Sequence, residues 1–151
     1  MTYSGFLTGF EFFSTLTDEE LSLVGATGRE VTYQAGQRLF HEGTHARGCW
    51  VIERGLVDID DGTVVVDSLG PGDVIGWSWL LPPHLWHFGA VTVSDVSAVY
   101  LDTDRLSRFL DSEPELGYRF VKKVCEVLLR RLQAARRRSV LMPTEVSEEK
   151  R

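Results

Sequence analysis

Short apolar segments alternate with glycine-containing turns between Arg29 and Asp102, and this pattern constrains the fold more than any other feature. The turns include Asp61-Gly62 and Pro71-Gly72, which are typical of tight reversals. Eight short segments rich in β-branched and aromatic residues predict a closed antiparallel structure, a sandwich or a jelly roll. The segments are REVTYQ, QRLF, CWVIER, LVDID, TVVVDSL, DVI, AVTV and VSAVYLD.

Helical patterns flank these strands on both sides. Residues 6 to 27 are predicted to be helical, with a capping box from Thr17 to Glu20. A short helix is predicted over Asp104 to Leu110, and a second capping box at Ser112 to Glu115 would begin a long helix that ends near Leu141. The predicted fold class is therefore α+β: an eight-stranded antiparallel β jelly roll with an N-terminal helix and a short plus a long C-terminal helix.

The size and composition fit one domain. The chain has 151 residues, of which 43% are hydrophobic, and this is enough to bury one core. No segment approaches the roughly 20 apolar residues of a membrane helix, and MTYSGFLTGF lacks the features of a signal peptide. We expect a cytoplasmic protein with a single domain over residues 1–142, including the long helix, and a flexible acidic tail over residues 143–151. Cys49 and Cys125 are predicted to be free thiols.

The charge is unevenly distributed along the chain. A net charge of -6 argues against a dedicated nucleic-acid-binding protein. Five arginines nevertheless cluster between Arg130 and Arg138. A basic cluster of this kind can meet phosphates, but arginines in the last turns of a helix also complement the negative end of its dipole. We favour the second interpretation.

The long helix carries a heptad-like apolar seam at spacings of 4, 3, 4 and 3 residues. This seam predicts a homodimer, whereas Val124 and Val127 lie off it and are expected to face the strands. The alternative is that the seam packs only on the strands of its own chain. The predicted dimer-interface residues are Val121, Cys125, Leu128, Leu132 and Ala135.

The segments YQAGQRLFHEGTHARGCWVIERGLVDI and LGPGDVIGWSWL, placed between a capped helix and a short and a long helix, resemble the cyclic-nucleotide-binding domain of the catabolite activator protein superfamily. The resemblance covers residues 13–136. It implies a regulatory, non-enzymatic jelly roll. A helix-turn-helix domain commonly follows the long helix in such proteins, and the nine residues 143–151 predict instead a stand-alone form without a DNA-binding domain. The strongest marks are Gly36, Phe40, Glu42-Gly43, Gly55 and Gly70-Pro71-Gly72-Asp73 followed by Gly76.

The resemblance also locates a phosphate-binding cassette, which begins Phe-Gly-Glu in the family and later reaches an arginine. Amides at a helix start and the arginine hold the cyclic phosphate, and the glutamate accepts from the ribose 2'-hydroxyl. This chain has Ile75, Gly76 and Trp77 at the first three positions, and His87 followed by Phe88 at the arginine position, eleven residues after Gly76. Losing two charge-assisted hydrogen bonds costs roughly 3 to 6 kcal/mol. We therefore expect that cAMP and cGMP are not bound in the usual way.

The altered cassette still provides nine candidate ligand-binding residues. Three interpretations stay open: a cyclic nucleotide, another small aromatic or anionic ligand with His84 or His87 as its polar anchor, or a site filled by Trp77 or Trp86. No cofactor is certain. The nine residues are Gly76, Trp77, Ser78, Trp79, Leu80, Trp86, His87, Phe88 and Gly89.

The predicted function is that of a non-enzymatic sensor domain, in which a ligand or an unidentified protein partner moves the C-terminal helices. The first alternative is a ligand-independent protein-interaction module. The second is a cupin-like metalloenzyme, because cupins are also jelly rolls. Cupins need an H-x-H pair on one strand, and the four histidines, His41, His45, His84 and His87, lack that spacing. No metal site and no catalytic residue is predicted.

Overall fold

The computed structural model describes Leu7 and residues 9–141, with side chains as far as Arg138, and the predicted tail over residues 143–151 lies outside this part. Eight strands lie where the sequence predicts them, and their bounds differ from the predicted segments by one or two residues. They are β1 (Gly28–Tyr33), β2 (Arg38–Phe40), β3 (Gly48–Arg54), β4 (Val57–Asp60), β5 (Val65–Leu69), β6 (Val74–Ile75), β7 (Gly89–Thr92) and β8 (Val96–Asp102).

The strands form two four-stranded antiparallel sheets, ordered β1-β8-β3-β6 and β2-β7-β4-β5. Consecutive strands alternate between the sheets except at the β4–β5 hairpin, and this arrangement confirms the predicted jelly roll. At that hairpin, the Asp61 carboxylate accepts from the amides of Thr63 and Val64. Gly62 supplies the left-handed backbone that the turn requires, with φ of 99°.

The N-terminal helical segment is shorter than predicted. Among the described residues 9–27, a 3-10 turn over Glu11–Phe13 and a separate helix α1 over Asp18–Gly25 are present where one helix over residues 6 to 27 was expected. The capping box is confirmed, because Thr17 Oγ1 accepts from the amide of Glu20 and the Glu20 carboxylate accepts from the amide of Thr17. An N-cap begins a helix at that point, so the residues before it belong to a separate turn.

The C-terminal helices are α2 (Thr103–Ser112) and α3 (Pro114–Leu141). The prediction that Ser112 caps the long helix is wrong. Ser112 is the last residue of α2, and its hydroxyl donates to the Phe109 carbonyl instead of accepting from a following amide. The N-cap of α2 is Asp102, whose carboxylate accepts from the amide of Asp104 at 3.0 Å.

The long helix α3 packs on the jelly roll along one face. Leu116, Phe120 and Val124 are buried, and Val127 packs against the same core, so the expectation for the two valines is confirmed. An ion pair between Arg119 and Glu20 joins α3 to α1. At 28 residues, α3 is about 42 Å long and extends across the end of the sheets.

Both cysteines are free thiols, as predicted. They differ in environment, since Cys49 is buried in β3 and Cys125 is exposed on α3. Burial raises the pKa of the Cys49 thiol well above its usual range. Within the described residues, none of the helices combines the length and the apolar character needed to span a bilayer.

Phe120→Ala should lower the free energy of unfolding by about 3 to 5 kcal/mol, because Phe120 is only 3% exposed and its removal leaves a cavity under α3. Tyr118→Ala on the same helix is the matched control. Tyr118 is 68% exposed, so its loss should change stability by about 0.5 kcal/mol or less. Urea unfolding followed by circular dichroism measures both, and equal losses would contradict this packing of α3.

Candidate ligand-binding site

The cassette segment between β6 and β7 is an irregular loop. It contains two turns, one closed by the Leu80 amide donating to the Trp77 carbonyl and one by the His84 amide donating to the Leu81 carbonyl, and the described residues 76–88 include no helix. The family's phosphate site depends on amides at a helix start. The loop therefore lacks that element in addition to the two charged side chains.

Trp86 covers the backbone at Gly76. Its indole is 5% exposed and stacks on Phe40 with ring centroids 3.8 Å apart. A Cβ at Gly76 would lie 2.7 Å from Cη2 of Trp86, so the indole lies directly against the glycine. The Trp86 backbone is fixed on both sides, since its amide donates to Thr44 and its carbonyl accepts from Gly43. A phosphate approaching Gly76 would have to displace this indole.

Trp77, which the sequence resemblance aligns with the family's glutamate, packs against the N-terminal turn and α3. It stacks on Phe12 at 5.2 Å and meets the edge of Phe120 at 6.3 Å. Its Nε1 is buried and has no hydrogen-bond partner among the residues that the structure describes. An indole N–H can only donate, so this position offers no acceptor to a ribose hydroxyl.

Three of the nine candidate residues, Trp79, Leu80 and Gly89, do not line the cavity that the other six share. Trp79 is 3% exposed and donates from Nε1 to the Gly76 carbonyl, which makes it a core residue that holds the loop. Leu80 lies with Trp79 in a separate groove. Gly89 lies against the ion pair of Arg38 and Asp60, where any side chain would collide with the guanidinium. The Arg38 hydrogen bond holds the pKa of the Asp60 carboxyl below its usual range.

His84 also lies outside the position expected for a ligand anchor. Its Nδ1 is 2.9 Å from the Trp79 carbonyl, and the residue lines the groove between the cassette loop and the C-terminal helices. His87 remains beside the other candidates. Its amide donates to Ser78 Oγ, and that hydroxyl is 3.1 Å from Nδ1 of His87.

The other six candidates, Gly76, Trp77, Ser78, Trp86, His87 and Phe88, line one cavity of about 530 Å³. Residues of β2, β4, β5 and β6 form its floor, and α3 forms the opposite wall. The volume falls in the range of small-molecule sites. Its walls are mostly apolar. The other apolar residues of the lining are Phe40, Ile59, Val66, Leu69, Ile75, Leu81, Leu128, Leu132 and Ala135.

The five predicted dimer-interface residues do not all have the same surroundings. Leu128, Leu132 and Ala135 line the cavity, whereas Val121 lines the separate groove and Cys125 is exposed. Leu128 and Leu132 remain 44% and 65% exposed, so the cavity covers only part of each side chain. The dimer interface stays a prediction.

Sequence reasoning missed two cavity residues, Arg131 and Arg138, which it grouped with the solubilising arginines. Arg131 donates to the Val74 carbonyl at 2.8 Å, and Arg138 donates to the Val66 carbonyl at 3.3 Å. A signal was available, because Leu128, Arg131, Ala135 and Arg138 follow one another at spacings of 3, 4 and 3 and so share a helix face.

The electrostatics of the cavity are dominated by these arginines and one carboxylate, Asp67. Burial lowers the pKa of the Arg131 guanidinium, and the charges of Asp73 and Asp67 oppose that shift. An arginine remains protonated in proteins. The cavity therefore has an apolar body and a cationic wall on α3.

No three histidine, cysteine, aspartate or glutamate side chains come together as a metal site within the residues that the structure describes. His41 and His45 precede β3, and His45 forms an isolated bridge with Leu85.

Comparison with known proteins agrees with this architecture. Residues 30–113, more than half of the chain, match the family described as the cyclic nucleotide-binding domain. The chain therefore belongs to the cyclic nucleotide-binding domain family, as the resemblance in its sequence indicates.

Three proteins illustrate the similarity. The HTH-type transcriptional regulator Cmr of Mycobacterium tuberculosis is 25% identical over 112 residues, which are 72% of this chain and 46% of Cmr, so this chain spans about half of that relative. A structure from Geobacter metallireducens GS-15, classified with the cyclic nucleotide-binding proteins, superposes with a TM-score of 0.82 and 26% identity over 87% of this chain and 99% of the other. The regulatory domain of Toxoplasma gondii PKA, solved with cAMP, has a TM-score of 0.62 and 24% identity over 70% of this chain and 42% of the other.

Gly76→Ala should destabilise the fold more than Gly62→Ala. Both glycines have φ near 98°, so both variants are strained, but the new Cβ meets Trp86 at 2.7 Å in one case and nothing within 4 Å in the other. We expect an additional loss of about 1 to 3 kcal/mol for Gly76→Ala in urea unfolding, with a change in tryptophan fluorescence. Adding Trp86→Leu should reduce this difference. Equal losses in the two variants would show that Trp86 does not lie against Gly76.

Proposed function

We propose that this chain is a non-enzymatic regulatory domain whose cavity senses a small molecule. We further propose that it does not bind cAMP or cGMP in the usual way. Membership of the cyclic nucleotide-binding domain family supports a regulatory role. The observation that carries the rest is the packing of Trp86 on Gly76, because it covers the backbone that a phosphate would approach.

The replaced side chains support the same conclusion. Trp77 offers a donor where the family offers a carboxylate, and His87 is held by Ser78 where the family offers an arginine. Space nevertheless remains between these residues and α3, in the cavity of about 530 Å³. A cavity with apolar walls and few polar groups favours a ligand with an apolar body.

The proposed output is a change in the position of α3. This helix contributes both core residues, such as Phe120, and cavity residues, such as Leu132. A ligand can shift the position of the helix only if it binds two helix positions with different affinity. A wall made by α3 itself provides such a difference, since the contacts change whenever α3 moves. A protein partner would then detect the helix.

We further propose a homodimer formed through α3. Tyr118, Val121, Leu129 and Leu132 are all exposed on this helix, at 68%, 47%, 55% and 65%. A stripe of exposed apolar side chains on one helix is typical of an interface. The outer half of the predicted seam, Val121 and Cys125, lies outside the cavity and remains free to contact a second copy.

A ligand-independent interaction module is the second candidate. The filled space beside Gly76 favours it, because Trp86 already makes the contacts that a ligand would otherwise make there. In this case the exposed stripe of α3 performs the recognition, and ligand binding to the cavity is absent.

Titration with cAMP and with cGMP should leave the melting temperature unchanged at about pH 8, because neither the charged groups nor the helix start of a phosphate site is present. A ligand at about 100 times its Kd would stabilise the fold by about 2.7 kcal/mol, which is easily measured. Repeating the titration near pH 6 tests whether a protonated histidine holds the phosphate. Stabilisation by cAMP at pH 8 that survives His87→Ala would contradict the proposal.

Val121→Asp should convert the proposed dimer into a monomer, because it places like charges opposite each other across the seam. Val64→Asp makes the same substitution in the β4–β5 hairpin, where the side chain is 60% exposed and outside α3, and this variant should remain dimeric. Multi-angle light scattering measures the mass, and circular dichroism confirms folding. Val121 is preferable to Leu128 because Leu128 also lines the cavity. A monomeric wild type, or a dimeric Val121→Asp variant, would rule out this interface.

A further inference from the structure

The cavity beside the cassette has an unusual division of chemistry. The cassette loop contributes the indole and phenyl rings of Trp77, Trp86 and Phe88, whereas both guanidinium groups come from α3. The cassette predicted from the sequence has no arginine, but two guanidinium groups line the cavity. Both lie on α3, the helix whose position is proposed to change.

Arg131 is the arginine of this cavity whose contacts leave donors available for a ligand. Its neighbour Arg130 lies 3.9 Å from the Glu11 carboxylate, and Arg119 pairs with Glu20. Arg131 makes no comparable ion pair with any of the described residues, although burial lowers the pKa of its guanidinium. One N–H donates to the Val74 carbonyl. A guanidinium has five N–H donors, so others remain for a ligand.

We propose that the cavity binds a flat, apolar organic acid, an aromatic carboxylate, with its ring between the cassette aromatics and its acid group on Arg131. This inference rests on the proposed function and specifies the class of ligand. Phe88 is 45% exposed, so its ring can stack on a ligand. Trp86 and Trp77 already stack on Phe40 and Phe12, and they line the cavity with the remainder of their surfaces. Arginine recognises a carboxylate through two parallel hydrogen bonds, which fixes the direction in which the ligand enters.

The remaining polar groups limit the charge of the ligand. Asp67 lines the same cavity and would repel an additional negative group. Arg138 lies farther along α3 and donates to Val66. Two guanidinium groups and one carboxylate line the cavity, and Asp73 acts on Arg131 from a neighbouring pocket that Arg131 also lines. The positive charge available to a ligand is therefore small, so a monoanion fits better than a phosphate dianion.

This arrangement would connect the ligand to the proposed output. Arg131 already joins α3 to β6 through the Val74 carbonyl. A carboxylate held by the same guanidinium adds a second connection between α3 and the cassette loop. The ligand therefore favours the position of α3 that is close to the sheets, as a differential affinity requires.

The test compares 2-naphthoate with 2-naphthamide, two flat compounds of nearly equal shape that differ in charge, by isothermal titration calorimetry on the full chain. We expect the wild type to bind naphthoate at least tenfold more tightly, because a charge-assisted hydrogen bond replaces a neutral one. Arg131→Gln should remove this preference while naphthamide binding is retained, which also shows that the variant is folded. Arg136→Gln is the matched control, since it removes the same charge from an exposed position on α3 outside the cavity, and it should keep the preference.

The outcomes separate the two proposals. If both compounds bind the wild type equally, or if Arg131→Gln keeps the preference for naphthoate, the acid site is wrong while a ligand-binding cavity still stands. If Leu132→Asp, which places a negative charge in the lining, leaves naphthoate binding unchanged, the ligand does not lie in this cavity and the inference is wrong. If neither compound binds, the inference fails together with the ligand-sensing part of the proposed function.

Discussion

The packing of Phe120 holds the rest of this structure together. Its ring meets Phe12 of the N-terminal turn at 5.4 Å, Trp77 at 6.3 Å and Trp79 at 6.1 Å. One side chain of α3 therefore contacts the N-terminal turn and the cassette loop at the same time. Aromatic contacts of this kind add to the energy of burial. Because α3 is fixed there, its later turns, from Leu128 to Arg138, line one side of the cavity.

Family membership alone does not identify the ligand, because the arginines that line the cavity come from α3. A phosphate site needs donors that converge on a point, and the backbone at Gly76 is covered by Trp86. The arginines of the cavity lie on α3, where Arg131 and Arg138 donate to strand carbonyls. The structure thus has a cavity beside the cassette loop whose lining is mostly apolar and whose two arginines come from α3. A fold specifies where a site lies, and the side chains decide what it binds.

Much of the fold could be predicted because its signals are local. The strands follow from β-branched residues between turn residues, and the turn at Gly62 requires a left-handed backbone that glycine adopts freely. Ser112 shows the limit of such signals. A serine three residues before a glutamate fits a capping box, but in the structure its hydroxyl bonds backward to Phe109 within α2. The competing bond is equally local, so sequence spacing cannot decide between the two.

The sequence by itself determined the jelly roll and the two terminal helical regions, since these depend on residue type and spacing along the chain. The cassette without a glutamate and an arginine remains a prediction from the sequence. Only the tertiary structure decided that Trp86 covers Gly76, that Trp79 and His84 turn away from the cavity, and that Arg131 enters it. Each of these depends on how a loop and a helix from distant parts of the chain meet. The direction of a side chain across such a contact is set by packing, which one-dimensional periodicity does not encode.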